Sequence, residues 1–281
     1  MKKQNNMKCI GFTCGDAIGF PMEFNQSQKF INYKPFSQGS HYTDDTVMTI
    51  ANMQWLIDGD LTHEALVRQM AHFGNKYPLA GYGQHFYLWL QGENGYRPYN
   101  SFGNGSGMRV SPIGWYFDNE EDVLKYAKVS AEVTHSHPEG IKGAQAIAMS
   151  IFLARTGHPK DYIKQYVEEH FGYDLNRTVE QIRPNYTFYV DCQRSVPESI
   201  ICFLEAGSTL EAIQNAISLG GDTDTMACMA GAIAEAFYGD ADDLFAETIR
   251  QIDGEYPDEF VEIIQKFNEN LDEKNGGTIS W

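Results

Sequence analysis

With 281 residues the chain can bury one sizeable core, and nothing in its composition forces a division, so a single domain over residues 1–281 is expected. A hydrophobic fraction of 42% and a charged fraction of 21% exclude a disordered or fibrous protein. The formal net charge of −17 argues against duplex nucleic acid as a partner, because phosphates need a face of Lys and Arg.

The N-terminal run MKKQNNMKCIGFTCGDAIGF starts basic and turns apolar, but Gly15 and Asp16 interrupt it before a signal core is reached. No later stretch approaches the ~20 apolar residues of a membrane span. Five cysteines without a C-x-x-C pair offer neither a zinc ribbon nor a disulfide framework, and free thiols in a reducing cytoplasm are expected. A helix is predicted to start at Asp44 and Asp45, where Val47, Ile50, Ala51 and Trp55 recur at helical spacing until Asp58-Gly59-Asp60 stops them.

The glycine-rich segment Ser101-Phe102-Gly103-Asn104-Gly105-Ser106-Gly107 reads as a loop, whose backbone N–H groups suit a diphosphate or form a plain turn. Residues 140–154 are rich in Ala and Gly, which suits a buried helix in close contact with others. Residues 172–191 show no clear period and are expected to be a long loop or short strands. Two helices follow over 196–219, split near Ala206-Gly207-Ser208. A last one over about 225–237 places Met226, Ala230, Ile233 and Phe237 on one side. That helix lacks a polar face, so it belongs at the centre of the core and holds the preceding Gly220-Gly221-Asp222-Thr223-Asp224 rigidly. The polar tail after Asn270 is expected to fray.

The chemistry concentrates in Thr43-Asp44-Asp45-Thr46 and Asp222-Thr223-Asp224-Thr225, each at a helix start. Either cluster alone is explained by capping, which Asp and Thr favour and which is worth about 0.5–2 kcal/mol. Together they offer more carboxylates than two caps require. Close carboxylates near a core repel one another unless they hold cations. Oxygen donors from Asp and Thr favour hard ions such as Mg²⁺ or Mn²⁺ over Zn²⁺.

Five segments in order resemble the ADP-ribosylglycohydrolases. They are Gly15-Asp16-Ala17-Ile18-Gly19 leading to Glu23; Thr43-Asp44-Asp45-Thr46; Gly103-Asn104-Gly105-Ser106-Gly107-Met108-Arg109 with Ser111-Pro112-Ile113-Gly114; Thr134-His135; and Gly220-Gly221-Asp222-Thr223-Asp224-Thr225 with Ala230-Gly231-Ala232. The resemblance implies an all-α fold, a compact orthogonal helical bundle with a two-metal site at converging helix N-termini. It implies two Mg²⁺ ions, with Mn²⁺ as a substitute, held by Thr43, Asp44, Asp45, Asp222, Asp224 and Thr225. Glu23 and Asp45 are the expected catalytic residues. Ser101, Phe102, Gly103, Asn104, Gly105, Ser106 and His135 are expected to contact substrate.

Arg109 reads as a structural ion-pair residue, and His137 as a surface or packing histidine. The implied reaction is hydrolysis of the glycosidic bond between the terminal ribose of ADP-ribose and an acceptor. The implied partners are an ADP-ribosylated protein or an ADP-ribose-containing small molecule, with acceptor choice expected in the segments near 76–100 and 172–192. The competing readings are an ADP-ribose-binding or structural protein of the same fold without turnover, and a two-metal phosphoesterase.

Overall fold

Helix follows helix along the chain in a computed structural model that describes residues 7–23, 29, 33–36, 39–274 and 276. The first half carries α1 (Gly11–Gly19), a 3₁₀ turn at Phe20–Met22, α2 (Asp44–Asp58), α3 (His63–Lys76), α4 (Gln84–Leu90), α5 (Gly105–Met108), α6 (Ser111–Tyr116) and α7 (Glu120–Glu132). The second carries α8 (Pro138–Arg155), α9 (Lys160–Phe171), α10 (Val179–Ile182), α11 (Cys192–Leu204), α12 (Thr209–Leu219), α13 (Thr223–Tyr238), α14 (Asp242–Gln251) and α15 (Asp258–Lys274). Among the described residues, β structure is confined to two isolated bridges, Ser40 with Ile252 and Gly103 with Asp191. The all-α class read from periodicity and resemblance holds. Among the described residues, no helix is long and apolar enough to cross a membrane.

Local chemistry sets the helix ends. Thr43 caps α2, its hydroxyl accepting from the Asp45 N–H, and Gly59 ends the helix in the left-handed conformation at φ 76°. α8 spans the Ala- and Gly-rich stretch and extends to Pro138 and Arg155, capped by His137, whose Nδ1 accepts from the Glu139 N–H at 3.1 Å. His137 is thus a helix cap. Within the irregular 172–191 segment, Thr178 and Gln181 form a capping box around the short α10. The tail departs from expectation: α15 runs past Asn270 to Lys274, its apolar stripe Phe260, Ile263, Ile264, Phe267 and Leu271 buried in the core. Residues 275 and 277–281 lie outside the described part.

Residues 11–19 carry no clear helical signal in sequence, yet they form α1, with Gly11, Gly15 and Gly19 at four-residue spacing on one helical face. That face lies directly on α13. A Cβ at Gly15 would stand 2.0 Å from the Ala227 carbonyl oxygen, and one at Gly11 2.4 Å from that of Gly231. Backbone contact this close sets α1 against α13, which is buried from Thr223 to Ala236. The end of α1 and the starts of α2 and α13 therefore meet at one place.

Candidate active site

Asp16 is the joint between these helices. Its two oxygens accept from the Thr43 N–H (2.9 Å), the Thr43 hydroxyl (2.8 Å), the Thr46 N–H (3.1 Å) and the Thr46 hydroxyl (2.5 Å). These four bonds, three of them to Oδ2, pin the first turn of α2 to α1 through a fully buried carboxylate. One oxygen from each of Asp16, Asp45 and Asp224 lies within 4.8 Å of the others, and the same holds for Glu23, Asp222 and Asp224.

Capping does not account for these acids. At α2 the cap bond belongs to the Thr43 hydroxyl. At α13 Asp222 occupies the cap position but makes no cap bond, and its carboxylate accepts instead from Asn104 Nδ2 at 2.6 Å. Asp45 Oδ2 accepts from the Thr225 hydroxyl at 3.3 Å and lies 3.2 Å from the Thr43 hydroxyl, whose one hydrogen is shared with Asp16, while Oδ1 is buried without a partner.

The electrostatics follow from this crowding. Desolvation, then the backbone and hydroxyl donors opposing it, leaves Asp16 at about 6. Desolvation with the charges of Asp16 and Asp222 lifts the half-buried Asp44 to about 7. Glu23 rises to about 8, through desolvation first and then Asp222, Asp44 and Asp16. Asp45 and Asp224 are pushed well above the carboxylate range, mainly by burial, and Asp222 is raised for the same reason. Among the described residues, no Lys or Arg is ion-paired with any of these six acids. A buried group of like charges of this kind suits divalent cations, and its donors are all oxygen.

Five of these acids, Glu23, Asp44, Asp45, Asp222 and Asp224, line a cavity of about 450 Å³, within the range of small-ligand sites. Its walls include Ser101, Gly103, Asn104, Gly105 and His135 on one side and Leu79, Gly81 and His85 on another.

The sequence profile of the ADP-ribosylglycohydrolase family matches residues 8–276. This chain belongs to that family. Among the ADP-ribosylglycohydrolases and their relatives, the ADP-ribosylhydrolase ARH3 of Mus musculus is 32% identical over 261 aligned residues, covering 71% of this chain and 70% of that protein. The Bos taurus ARH3 is 30% identical over 308 aligned residues, covering 82% and 81%. A solved chain from an ADP-ribosylglycohydrolase-related protein complex shares the fold at a TM-score of 0.73 and 21% identity, over 93% of this chain and 94% of its own.

Within this ADP-ribosylglycohydrolase, Glu23, Thr43, Asp44, Asp45, Asp222, Asp224, Thr225, Ser101, Gly103, Asn104, Gly105 and His135 come together around the cavity. Phe102 and Ser106 do not line it. The Phe102 ring lies half-exposed and edge-on to His137, 5.4 Å between centroids, and the Ser106 hydroxyl turns into the core to donate to the Gly140 carbonyl at 2.7 Å.

The glycine segment differs from the expected open loop. Its second half winds into α5, the Gly107 and Met108 N–H groups donating to the Asn104 carbonyl, while the Asn104 N–H is taken by the Val190 carbonyl. Arg109 makes no ion pair among the described residues. It is buried, and its Nη2 donates to the Ser130 carbonyl (2.7 Å) and the Thr134 hydroxyl (2.9 Å). Of the two segments expected to choose the acceptor, 76–100 contributes eight residues to the walls, Leu79, Ala80, Gly81 and His85 among them, whereas 172–192 contributes only Val190.

Proposed function

We propose that this ADP-ribosylglycohydrolase hydrolyses the glycosidic bond between the terminal ribose of ADP-ribose and an acceptor on a protein or small molecule, releasing ADP-ribose, with two Mg²⁺ ions as cofactors and Mn²⁺ as a substitute. The observation that carries the reading is Asp45 Oδ1, a buried oxygen without a partner among six acids that have no ion pair among the described residues. Relatives named as ADP-ribosylhydrolases over four-fifths of the chain support the substrate class. One contiguous core supports a single domain, and five free buried cysteines support a reducing compartment such as the cytoplasm.

Thr43, Asp44, Asp45, Asp222, Asp224 and Thr225 are the residues to hold the cations. Bound there, the ions would neutralise the cluster, grip ribose hydroxyls and lower the pKa of a water. Glu23, half-buried at the edge of the cluster, is the carboxylate placed to accept or return a proton at the reacting bond. Asp45, which lines the cavity, is the second catalytic residue, its carboxylate stabilising oxocarbenium-like charge. Asp16, whose Oδ2 takes three of its four hydrogen bonds from Thr43 and Thr46, positions the α2 end of the cluster. Ser101, Gly103, Asn104 and Gly105 line the side on which the diphosphate and distal ribose would lie, and Phe102 and Ser106 act through the backbone of that segment.

The test is product analysis with a mono-ADP-ribosylated peptide. Intact ADP-ribose with unmodified peptide is the expected pair. AMP with a phosphoribosylated peptide would make the protein a phosphoesterase, and no product would make it a binding protein.

A further inference from the structure

Arg109, Thr134 and His135 form a hydrogen-bond relay from the core to the cavity wall, and its direction is fixed by chemistry. The guanidinium can only donate, so the Thr134 hydroxyl oxygen is the acceptor of the 2.9 Å bond from Arg109 Nη2. The same hydroxyl lies 2.8 Å from His135 Nδ1. Thr134 is fully buried, and among the described residues its hydroxyl has no other partner. Were His135 to donate from Nδ1, the Thr134 hydrogen would be left buried without an acceptor, a costly arrangement. The hydroxyl therefore donates to Nδ1, and the ring proton is left on Nε2.

We propose that this relay locks His135 in the Nε2–H tautomer, so that the ring presents a fixed donor to an acceptor oxygen of the ligand lying over Gly103 and Gly105, with Arg109 and Thr134 as positioning residues. The Nε2 atom faces that space. A Cβ at Gly105 would stand 3.2 Å from it and one at Gly103 3.5 Å, so both glycines keep the donor edge clear. Among the described residues Nε2 has no protein partner, and His135 lines the cavity. Burial, and secondarily the Arg109 charge, holds the ring well below the usual histidine range and therefore neutral. His135 thus serves as a ligand-binding donor and not as a proton-accepting base. Only the identity of the ligand oxygen rests on the ADP-ribose reading; the tautomer does not.

The direct test is nitrogen NMR of the full chain with labelled histidine, His135 being assigned by its loss in His135→Gln. From about pH 6 to about pH 8, Nδ1 should resonate as an unprotonated nitrogen and Nε2 as a protonated one. Thr134→Val should release this preference and weaken ADP-ribose binding about tenfold, the loss expected for one hydrogen bond, while Thr134→Ser restores both. The melting temperature of Thr134→Val reports separately on the fold. An Nδ1–H ring or an imidazolium in the wild type would overturn the proposal, as would a Thr134→Val protein with wild-type tautomer and affinity. Wild-type protein that does not bind ADP-ribose at all would instead sink the functional reading, with the tautomer still decided by the spectrum.

Discussion

Thr225 at the start of α13 donates its hydroxyl to Asp45 in the first turn of α2 at 3.3 Å, joining residues 180 apart in the chain. The bond places both Thr-Asp clusters in one site. Because Asp45 and Asp224 are both buried beside other acids, each lowers the stability of the metal-free protein while serving the site. Asp45→Asn and Asp224→Asn should therefore lower turnover by at least ~10²-fold, since a misplaced ribose or water costs that much. Their melting temperatures without metal should match or exceed wild type. Steady-state rates and thermal melts on the same samples check both halves; near-native rates would reduce the acids to structural groups.

Glu23 stands at the edge of the cluster, one of its oxygens within 4.8 Å of Asp222 and Asp224. Glu23→Gln, which keeps size but removes charge and basicity, should reduce kcat by roughly 10²–10⁴-fold, as for a lost general acid or base. Metal content and ADP-ribose affinity should stay near wild type. Single-turnover kinetics beside calorimetry separate these effects, and lost metal together with lost rate would make Glu23 a ligand.

The glycine face of α1 has a measurable stability consequence. Gly15→Ala puts a methyl 2.0 Å from the Ala227 carbonyl oxygen, and backbone must shift to admit it. The cost should reach about 1–3 kcal/mol or more in urea denaturation. Activity should fall with it, because the same shift moves Asp16. A Gly15→Ala protein as stable as wild type would show that α1 and α13 do not need this approach.

These contrasts show what the sequence made legible. The start of α2 was readable because Thr43 and Gly59 act through their own neighbours, and the burial of α13 because no face of it is polar. The role of Asp16 was not readable, since its four donors come from another helix, and α1 itself was hidden by glycines that look like breakers until the partner helix is known. Phe102 and Ser106 follow the motif order yet point away from the cavity, because the Gly103–Asp191 bridge and the Gly140 carbonyl fix the path of that segment. The pull of Asn104 on Asp222 likewise needs the fold.

A pH effect should come from Glu235, far from the cluster. This fully buried carboxyl accepts from the Ile10 and Gly11 N–H groups, at 3.0 and 2.7 Å for Oε2, and is raised to about 8 mainly by desolvation. A group raised on folding binds its proton more tightly in the native state, so its contribution is full below the unfolded pKa of about 4.3 and is lost as pH rises through about 8. Glu235→Gln should therefore flatten the decline of stability between about pH 5 and pH 8 relative to wild type. Parallel melts across that range measure the difference, and identical slopes would contradict it.

The central claim, that the buried acids hold divalent cations required for ADP-ribose release, is tested most directly by stripping the protein with EDTA and titrating Mg²⁺ back while following ADP-ribose released from a mono-ADP-ribosylated peptide. The account predicts loss of release on stripping and recovery with Mg²⁺ or Mn²⁺ but not Zn²⁺, saturating at two ions per chain by calorimetry. Full release from verified metal-free protein would contradict it.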